Sequence, residues 1–149
     1  PFTNGHLDVI QRGACIFDKL IVGVGHNPEK TSMFDQSERT QMASEIVAGM
    51  PNVSVEAFVG LTVDFVRQCR ADVILRGIRS SSDLQFEFQV ALTNRVVAGV
   101  ETVFIMTKPE FAFTSSNLIK QMASMGADVS ALVPPIVVDH IKIHTAPAS

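Results

Sequence analysis

The feature that most constrains the fold is an alternation of short apolar runs with helical patterns along almost the whole chain. Four runs have the length of a strand and are rich in β-branched residues, at residues 19–25, 53–59, 72–77 and 101–106. The segments between them repeat apolar residues at the spacing of a helix face. Strands that alternate with helices indicate a parallel sheet covered by helices. The pattern therefore predicts an α/β fold, in which runs 19–25 and 72–77 are buried strands.

Six helices are predicted around these strands. They cover about residues 5–17, 36–49, 61–70, 82–98, 115–125 and 135–144. The second begins with a capping box, since Asp35 is followed three residues later by Glu38. No strand pattern precedes the first helix, although a βαβ unit has a strand there. We therefore expect the first central strand of the sheet to be absent from this chain, upstream of Pro1.

Length and composition limit the classes of protein to which the chain can belong. With 149 residues, 46% of them hydrophobic, the chain is predicted to form a single domain over residues 1–144 with a flexible tail at 145–149. A net charge of -3 argues against a general nucleic-acid binder. No apolar run approaches the roughly 20 residues of a membrane span, and no signal peptide precedes the first helix. Cys15 and Cys69 lack metal-ligand spacing, so we expect two reduced, buried cysteines in a cytoplasmic protein.

The candidate chemistry lies just after the predicted strands. Lys30 follows the first strand, Arg76 and Arg79 flank Gly77 at the end of the third, and a polar TSSN run at residues 114–117 starts the helix after the fourth. In an open parallel sheet, ligands bind outside the carboxyl ends of the strands. Guanidinium groups hold phosphate oxygens bidentately, and helix N-termini attract anions. With His6 at the start of the first helix, this edge is predicted to bind a phosphate-rich ligand.

Each of these residues also fits a simpler structural role. His6 fits a helix cap or a surface group, Lys30 fits a solvated charge, and residues 115–117 fit an ordinary N-cap. Glu87 on the long helix fits a solvent-facing carboxylate. Position alone leaves these alternatives open. The remaining histidines show no partner spacing and are interpreted as structural or exposed: His26, His140 and His144.

Several longer motifs are informative when taken together. TNGHLDVIQRG has the form of a T-x-G-H helix start, and FAFTSSNLIK that of a serine-rich segment before a helix. The R-G-x-R at residues 76–79 and the D-x-x-x-E-x-Q-x-A-x-x-N-R helix at residues 83–95 are more specific. Through almost its whole length, the chain resembles the bacterial phosphopantetheine adenylyltransferases of the nucleotidyltransferase superfamily. The resemblance implies a Rossmann-like parallel sheet with helices on both faces.

The resemblance also implies an activity and a set of site residues. The activity is transfer of the adenylyl group of ATP to 4'-phosphopantetheine, which yields dephospho-coenzyme A and pyrophosphate, with Mg2+ accompanying ATP. By matching position, His6, Lys30 and Arg79 would be catalytic, and Lys30, Thr62 and Arg76 would bind the acceptor. The residues implied around ATP are His6, Gly77, Ile78, Arg79, Glu87, Phe111, Ala112, Phe113, Thr114, Ser115, Ser116 and Asn117. The implied partners are further copies of the chain in a homohexamer and coenzyme A as a feedback ligand, with neither nucleic acid nor a membrane.

The chain departs from the family pattern at three places. The family has a strand and a G-(S/T)-F-D-P loop before T-x-G-H, of which this chain has only Pro1. Burial of such a strand contributes roughly 5 to 10 kcal/mol, so we expect poor stability and weak activity. Thr62 stands where the family has Leu or Met, and Asn117 replaces a serine. Two alternatives remain: another T-x-G-H enzyme, such as a nicotinate-mononucleotide adenylyltransferase, and a non-catalytic truncated fragment.

Overall fold

The computed structural model describes residues 1–26 and 32–145, and its elements follow the predicted alternation of strands and helices. The predicted strands and helices all form in this part of the chain, with bounds that differ by at most two residues from those expected. In chain order, the elements are α1 (Asn4–Ile16), β1 (Leu20–Gly25), α2 (Gln36–Val47), β2 (Val53–Phe58), α3 (Thr62–Cys69), β3 (Val73–Ile78), α4 (Ser81–Ala98), β4 (Glu101–Met106), a 3-10 turn (Pro109–Phe111), α5 (Ser116–Ser124) and α6 (Pro135–Thr145). The architecture is therefore α/β.

Local sequence explains where the helices begin. The predicted capping box of α2 is confirmed, because the Glu38 amide donates to Asp35 Oδ1 at 2.8 Å and the Asp35 amide donates to Glu38 Oε2 at 2.9 Å. At α4, the Ser80 hydroxyl accepts a hydrogen bond from the Asp83 amide at 3.2 Å. These side chains satisfy amide groups that have no partner inside the helix. Short polar residues thus fix the starts of the two helices that follow β1 and β3.

The strands form two parallel pairs rather than the single predicted sheet. β1 pairs with β2 and β3 pairs with β4, so within the described residues each strand has one neighbour. A strand with one neighbour is incompletely covered. The prediction that runs 19–25 and 72–77 are buried strands is therefore wrong, since only Val24 in β1 and Ile78 in β3 are buried. The strand expected upstream of Pro1 stays a prediction.

Helix α1 connects the two strand pairs by packing against β1, β3 and β4. The approach is close because glycines lie at the contacts. A Cβ atom added at Gly13 would lie 2.5 Å from a methyl of Leu75 in β3 and 3.4 Å from a methyl of Leu20 in β1. A Cβ atom added at Gly77 in β3 would lie 2.6 Å from a methyl of Val9 in α1. The two glycines thus set how closely α1 can approach the strands.

The hydrophobic core lies mainly among helices. Its larger cluster joins α2, α5, α6 and the segments between them, and a smaller one lies between α3 and the β3–β4 pair. The buried members of the larger cluster are Phe34, Met42, Ile119, Ala123, Val129, Val133, Val137 and Ile141. Those of the smaller cluster are Val63, Val66 and Val100. The helices and the segments between them therefore supply most of the buried apolar surface, and the strands supply little of it.

Two further sequence predictions concern the cysteines and the membrane. Cys15 is exposed and Cys69 is only partly buried, so the expectation of two buried cysteines is wrong; both are free thiols. Cys15 lies near the end of α1. None of the helices within residues 1–26 and 32–145 combines the length and the apolar character that crossing a bilayer requires.

The contact between α1 and β3 predicts the effect of Gly77→Ala. The added methyl would collide with Val9, whose β-branched side chain has one strongly preferred rotamer in a helix. We expect the free energy of unfolding to fall by about 1 to 3 kcal/mol, measured by urea denaturation.

The matched control is Gly49→Ala, because a Cβ atom at Gly49 meets nothing within 4 Å. Without a collision, the loss of backbone freedom in the unfolded chain is expected to raise stability by about 0.4 to 1 kcal/mol. Equal effects of the two substitutions would contradict the close contact between α1 and β3.

Candidate active site

Most of the predicted site residues that the structure describes gather where α1, β3, α4 and the segment after β4 meet. His6 lies in the first turn of α1, Arg76 lies inside β3, and Arg79 directly follows that strand. Glu87 lies on α4, and the polar run at residues 114–117 spans the start of α5. This location is the carboxyl end of the β3–β4 pair, as the sequence predicts for a ligand site.

His6 completes a capping box at the start of α1. The Thr3 side chain accepts from the His6 amide at 3.3 Å, and the Thr3 amide donates to Nδ1 of the His6 ring at 3.0 Å. The cap interpretation of His6 is therefore confirmed. Because Nδ1 acts as an acceptor, a neutral His6 ring carries its proton on Nε2. The cap thus leaves an N–H donor on the far side of the ring.

The surroundings of His6 favour its neutral form. Burial of the ring among protein atoms is the main reason why the pKa of His6 falls to about 4, and the positive charges of the Pro1 amino group, Arg79 and Arg76 contribute to the same shift. By its accessible surface the residue as a whole is exposed, so solvent also reaches it. The direction of the pKa shift is set by two independent causes, and both keep the imidazole uncharged at pH 7. His6 therefore offers a neutral hydrogen-bond donor rather than a charge.

Arg79 joins the start of α4 to the segment before α5. Its Nε and Nη2 donate to the two carboxylate oxygens of Asp83 at 2.8 and 3.2 Å. Its Nη1 donates to the backbone carbonyl of Thr114 at 2.6 Å. The Arg79 guanidinium also lowers the pKa of the Asp83 carboxyl by hydrogen bonding to it. Asp83 and the Thr114 carbonyl thus orient Arg79 from two sides. The sequence motifs had not paired either group with this arginine.

Arg76 is held by a second carboxylate of α4. Its Nε and Nη2 donate to Glu87 at 2.8 and 2.6 Å, in the paired geometry that suits a planar guanidinium. This hydrogen bonding raises the pKa of Arg76. The Glu87 side chain is largely covered, so its interpretation as a solvent-facing carboxylate is wrong. Half of the Arg76 side chain remains accessible and faces outward from the ion pair.

The serine-rich segment leaves the N-terminus of α5 uncapped by its own side chains. Ser115 occupies the N-cap position but makes no capping hydrogen bond, and the Ser116 hydroxyl donates instead to the Pro1 carbonyl at 2.9 Å. The ordinary N-cap interpretation of residues 115–117 is therefore wrong for Ser115. The Thr114 hydroxyl is buried without a hydrogen-bond partner among the described residues. Uncapped amides at a helix start attract anions.

Asp8 is a part of this region that the sequence interpretation missed. Its side chain is only 3% accessible, accepts from the Lys108 amide at 3.2 Å and from Arg12 Nη1 at 3.3 Å, and lies 3.7 Å from Lys108 Nζ. Arg12 Nη1 also donates to the Met106 carbonyl at 2.5 Å. The signal in the sequence was the spacing of Asp8 and Arg12, because a carboxylate four residues before an arginine lies beside it on a helix. Asp8 ties the helix that carries His6 to the end of β4.

Two predicted site residues are not among the groups described above. Lys30 lies outside the described residues, and Thr62 is exposed at the first position of α3. His144 was interpreted as lacking a partner, but its Nε2 lies 2.6 Å from Glu38 Oε1, and this hydrogen bond lowers the pKa of Glu38. Its ring also packs edge-on against Phe34. His144 therefore connects α6 to α2, away from the site.

The arrangement has the chemistry of a phosphate site, and among the described residues it holds no paired nucleophile and base. His6 supplies a neutral N–H, Arg76 and Arg79 supply oriented positive charge, and α5 supplies backbone amides. Each arginine is paired with a carboxylate of α4, which fixes the plane of its guanidinium group. Such groups stabilise developing negative charge without exchanging protons.

Comparison with known proteins finds relatives over most of the chain. Residues 1–122 match the family described as cytidylyltransferase-like. A phosphopantetheine adenylyltransferase of Nocardioides is 46% identical over 146 residues, which cover 98% of this chain and 92% of that protein. Proteins of the same name from Leuconostoc citreum and Clostridium tetani are 44% and 43% identical, over 95% of this chain and 90% and 89% of their own lengths. The likeness thus includes every element that carries a described site residue.

The state of His6 predicts a pH dependence. Because the folded chain binds this proton more weakly than the unfolded chain, stability should rise with pH between about 4 and 6.5 and gain nothing from His6 above that range. In NMR spectra, the ring signal lost in His6→Gln should titrate well below pH 6 and show a proton on Nε2. A midpoint near 6.5, or a proton on Nδ1, would contradict the capping geometry.

The buried position of Asp8 predicts the cost of removing its charge. Asp8→Asn places amide hydrogens against the Lys108 and Arg12 donors, so we expect a loss of about 1 to 3 kcal/mol in the free energy of unfolding. The control is Asp64→Asn, since Asp64 pairs with Arg67 on the exposed surface of α3 and should cost less than about 1 kcal/mol. Urea denaturation measures both. A loss in Asp8→Asn no greater than in the control would count against an anchoring role.

Proposed function

Because the chain belongs to the phosphopantetheine adenylyltransferases of the cytidylyltransferase-like family, we propose that it transfers the adenylyl group of ATP to 4'-phosphopantetheine. The products are dephospho-coenzyme A and pyrophosphate, which places the reaction in coenzyme A biosynthesis. The observation that carries the proposal is the cluster of His6, Arg76 and Arg79 at the carboxyl end of the β3–β4 pair. The cluster suits two anionic substrates that must be held close together.

The chemistry needs no side-chain base. The acceptor is a phosphate monoester with a second pKa of about 6, so its attacking oxygen is already largely ionised at neutral pH. The acceptor oxygen bonds to the α-phosphorus of ATP, and the bond from that phosphorus to the bridging oxygen of pyrophosphate breaks. What the protein must provide is alignment of two anions that repel one another and stabilisation of the developing charge.

His6 and Arg79 are proposed to act on the ATP phosphates. His6 Nε2 would donate a hydrogen bond while its Nδ1 remains fixed by Thr3. Arg79 uses three of its five N–H groups on Asp83 and Thr114, which leaves two for phosphate oxygens. Since the described bonds set the plane of the guanidinium, little orientation remains to be lost on binding. The proposed ATP site further includes Gly77, Ile78, Glu87, Phe111, Ala112, Phe113, Thr114, Ser115, Ser116 and Asn117.

Arg76 is proposed to hold the acceptor phosphate together with Lys30, with Thr62 lining the same subsite. Glu87 occupies two of the five N–H groups of Arg76, so three remain for the acceptor. Glu87 therefore positions Arg76 in this proposal and need not contact ATP through its carboxylate. An arginine and a lysine from different segments can neutralise a doubly charged phosphate.

Magnesium is proposed to arrive with ATP as part of the substrate. In the part of the chain that the structure describes, no three His, Cys, Asp or Glu side chains form a group that could hold a metal ion. Phosphate oxygens are the ligands that Mg2+ prefers at such sites, and the ion reduces the negative charge that the acceptor must approach. His6, Arg76 and Arg79 act on the remaining charge.

The wider biological setting is proposed from the family. It comprises a cytoplasmic location, a homo-oligomer, and coenzyme A as a feedback ligand, with neither nucleic acid nor a membrane as partner. The alternative acceptor is nicotinate mononucleotide, which also presents a phosphate. The specific R-G-x-R and residue 83–95 helix, in which Arg76 pairs with Glu87, favour phosphopantetheine.

The proposal is tested by pyrophosphate release from ATP and Mg2+ in the presence of 4'-phosphopantetheine. His6→Ala is expected to lower turnover about 100- to 1000-fold with a smaller effect on binding, because one donor to the transferring phosphate is lost. Lys142→Ala, which removes an exposed cation of α6, serves as the matched control and should leave turnover unchanged.

Acceptors are then exchanged. Pantetheine, which lacks the phosphate, should give no release, and nicotinate mononucleotide should not compete. A second preparation that carries a family-like strand and G-S-F-D-P loop before Pro1 is assayed beside the chain, since we expect it to be more active. If both preparations are folded and neither turns over 4'-phosphopantetheine, the acceptor assignment fails.

A further inference from the structure

The groups proposed to act on ATP come from three separate parts of the chain. His6 lies in the first turn of α1, Arg79 directly follows β3, and the uncapped start of α5 lies beyond β4. A helix shares no backbone hydrogen-bond ladder with a strand, so side-chain contacts must set where His6 lies relative to the other two groups. A displacement of about 1 Å between such groups can lower a rate about 100-fold. The alignment of the three parts therefore matters for turnover.

Thr107, the first residue after β4, ties the end of β4 to the end of β3. Its amide donates to the Ile78 carbonyl at 2.9 Å, and its hydroxyl donates to the same carbonyl at 3.2 Å. Ile78 is the last residue of β3, and its carbonyl belongs to the peptide group that leads into Arg79. Both donors of Thr107 thus act on the backbone from which the Arg79 side chain extends.

Helix α1 holds the backbone on both sides of Thr107. Before it, the Met106 carbonyl accepts a hydrogen bond from Arg12 Nη1 at 2.5 Å. After it, the Lys108 amide donates to Asp8 Oδ2 at 3.2 Å. Asp8 and Arg12 are four residues apart on α1 and are also paired with each other at 3.3 Å. The helix that begins with His6 is therefore bonded to the point where the chain leaves β4.

Asp8 is the most buried part of this arrangement. Its side chain is only 3% accessible, whereas the Arg12 side chain is 42% accessible. A buried carboxylate is costly unless hydrogen bonds and opposite charges satisfy it, and here Arg12, the Lys108 amide and the Lys108 ammonium group do so. A negative charge repels the phosphates of ATP. Asp8 therefore acts through the backbone that it holds and not on the substrate.

The segment between β4 and α5 is held at further points beyond Asp8. The first turn of α1 lies close to its middle, because a Cβ atom added at Gly5 would lie 3.4 Å from Cβ of Phe111. Near its end, the Thr114 carbonyl accepts from Arg79 Nη1 at 2.6 Å. The segment thus touches both the helix that carries His6 and the arginine that follows β3.

We propose that Asp8 is a positioning residue for adenylyl transfer. It acts together with Arg12 and Thr107, and we call these three residues the β4 clasp. The clasp keeps His6 and Arg79 aligned with the start of α5. The effect on catalysis rests on the proposed function, which assigns these groups to ATP, whereas the alignment itself rests on the contacts alone.

The kinetic test uses Asp8→Asn in the preparation that turns over 4'-phosphopantetheine, under conditions in which circular dichroism shows that the variant is folded. We expect kcat to fall about 10- to 100-fold, because the groups that act on the transferring phosphate lose their alignment. The KM for 4'-phosphopantetheine should stay within about twofold, since the clasp does not hold Arg76.

The matched control is Val137→Ala, which removes two methyl groups from the larger hydrophobic cluster. Val137 is fully buried, so this substitution also lowers stability. It should leave kcat and both KM values unchanged, because none of the clasp contacts involves α6. An equal fall of kcat in the control and in Asp8→Asn would overturn the positioning role, since loss of stability alone would then explain both.

Thr107→Val is a second variant, which probes the clasp without a buried charge. Valine has nearly the same shape as threonine and keeps the amide bond to Ile78, so this variant should fold even where Asp8→Asn does not. Loss of the hydroxyl donor removes one hydrogen bond and should lower kcat about 2- to 10-fold, again with little change in the KM for the acceptor.

The alignment is tested separately by NMR signals of the His6 ring and of the Arg79 Nε–H group. Neither group is among the hydrogen-bond partners described for Asp8. Both signals should nevertheless shift in Asp8→Asn and in Thr107→Val, and they should keep their positions in Val137→Ala. This measurement needs no turnover.

The outcomes separate the clasp from the proposed function. Unchanged His6 and Arg79 signals in both clasp variants would overturn the alignment at any level of turnover. Shifted signals with unchanged kcat would overturn the positioning role. Absence of turnover in every preparation, the unmodified chain included, would contradict the proposed function, and the NMR comparison would then still decide whether the clasp aligns the two groups.

Discussion

The close approach of α1 to both strand pairs is the contact on which the rest of the structure depends. Gly13 and Gly77 remove the side chains that would separate the helix from Leu75 and from Val9, and α1 thereby joins β1 to β3 without a shared hydrogen-bond ladder. The same helix begins with the Thr3 and His6 capping box and carries Asp8, which binds the segment after β4. The packing of α1 thus places His6 at the site, and Asp8 positions the segment that leads to α5. The capping box fixes the tautomer of the His6 ring.

Two carboxylates of α4 orient the two arginines of the site. Asp83 and Glu87 are spaced four residues apart on the inward side of the helix, and each holds one arginine in a planar, two-contact geometry. This arrangement places positive charge against phosphate with its orientation already set. It also explains why the polar side of α4 faces the protein. The need to position two guanidinium groups prevails over the usual preference for an apolar inner face, and the apolar residues are displaced to the outside.

Much of this architecture could be predicted from the chain, for identifiable reasons. Strand-length β-branched runs and the Asp35 capping box gave element positions within two residues, because both signals are local. The cluster of His6, Arg76 and Arg79 followed from the rule for parallel sheets together with a family resemblance. Burial was harder to predict, since it depends on what lies beside a strand, and runs 19–25 and 72–77 turned out half-covered. Asp8 was missed because a single carboxylate in a helix looks like a surface residue until its Lys108 partner, a hundred residues away, is known.

The single-neighbour strands have a consequence for how binding and local stability are related. In a parallel pair, alternate amides point away from the partner, so within the described residues half the ladder of β3 and β4 lacks a second set of hydrogen bonds. Segments with few buried contacts open at low free-energy cost, so we expect the helical cluster around Met42 and Val137, whose members are buried, to open only with global unfolding. A ligand that bridges Arg79 and the start of α5 closes this weaker layer, and at 100 times its dissociation constant it adds about 2.7 kcal/mol. Nucleotide binding would therefore slow hydrogen exchange in β3 and β4, and exchange in α2 and α6 would slow as well, because it requires unfolding of the more stable bound state.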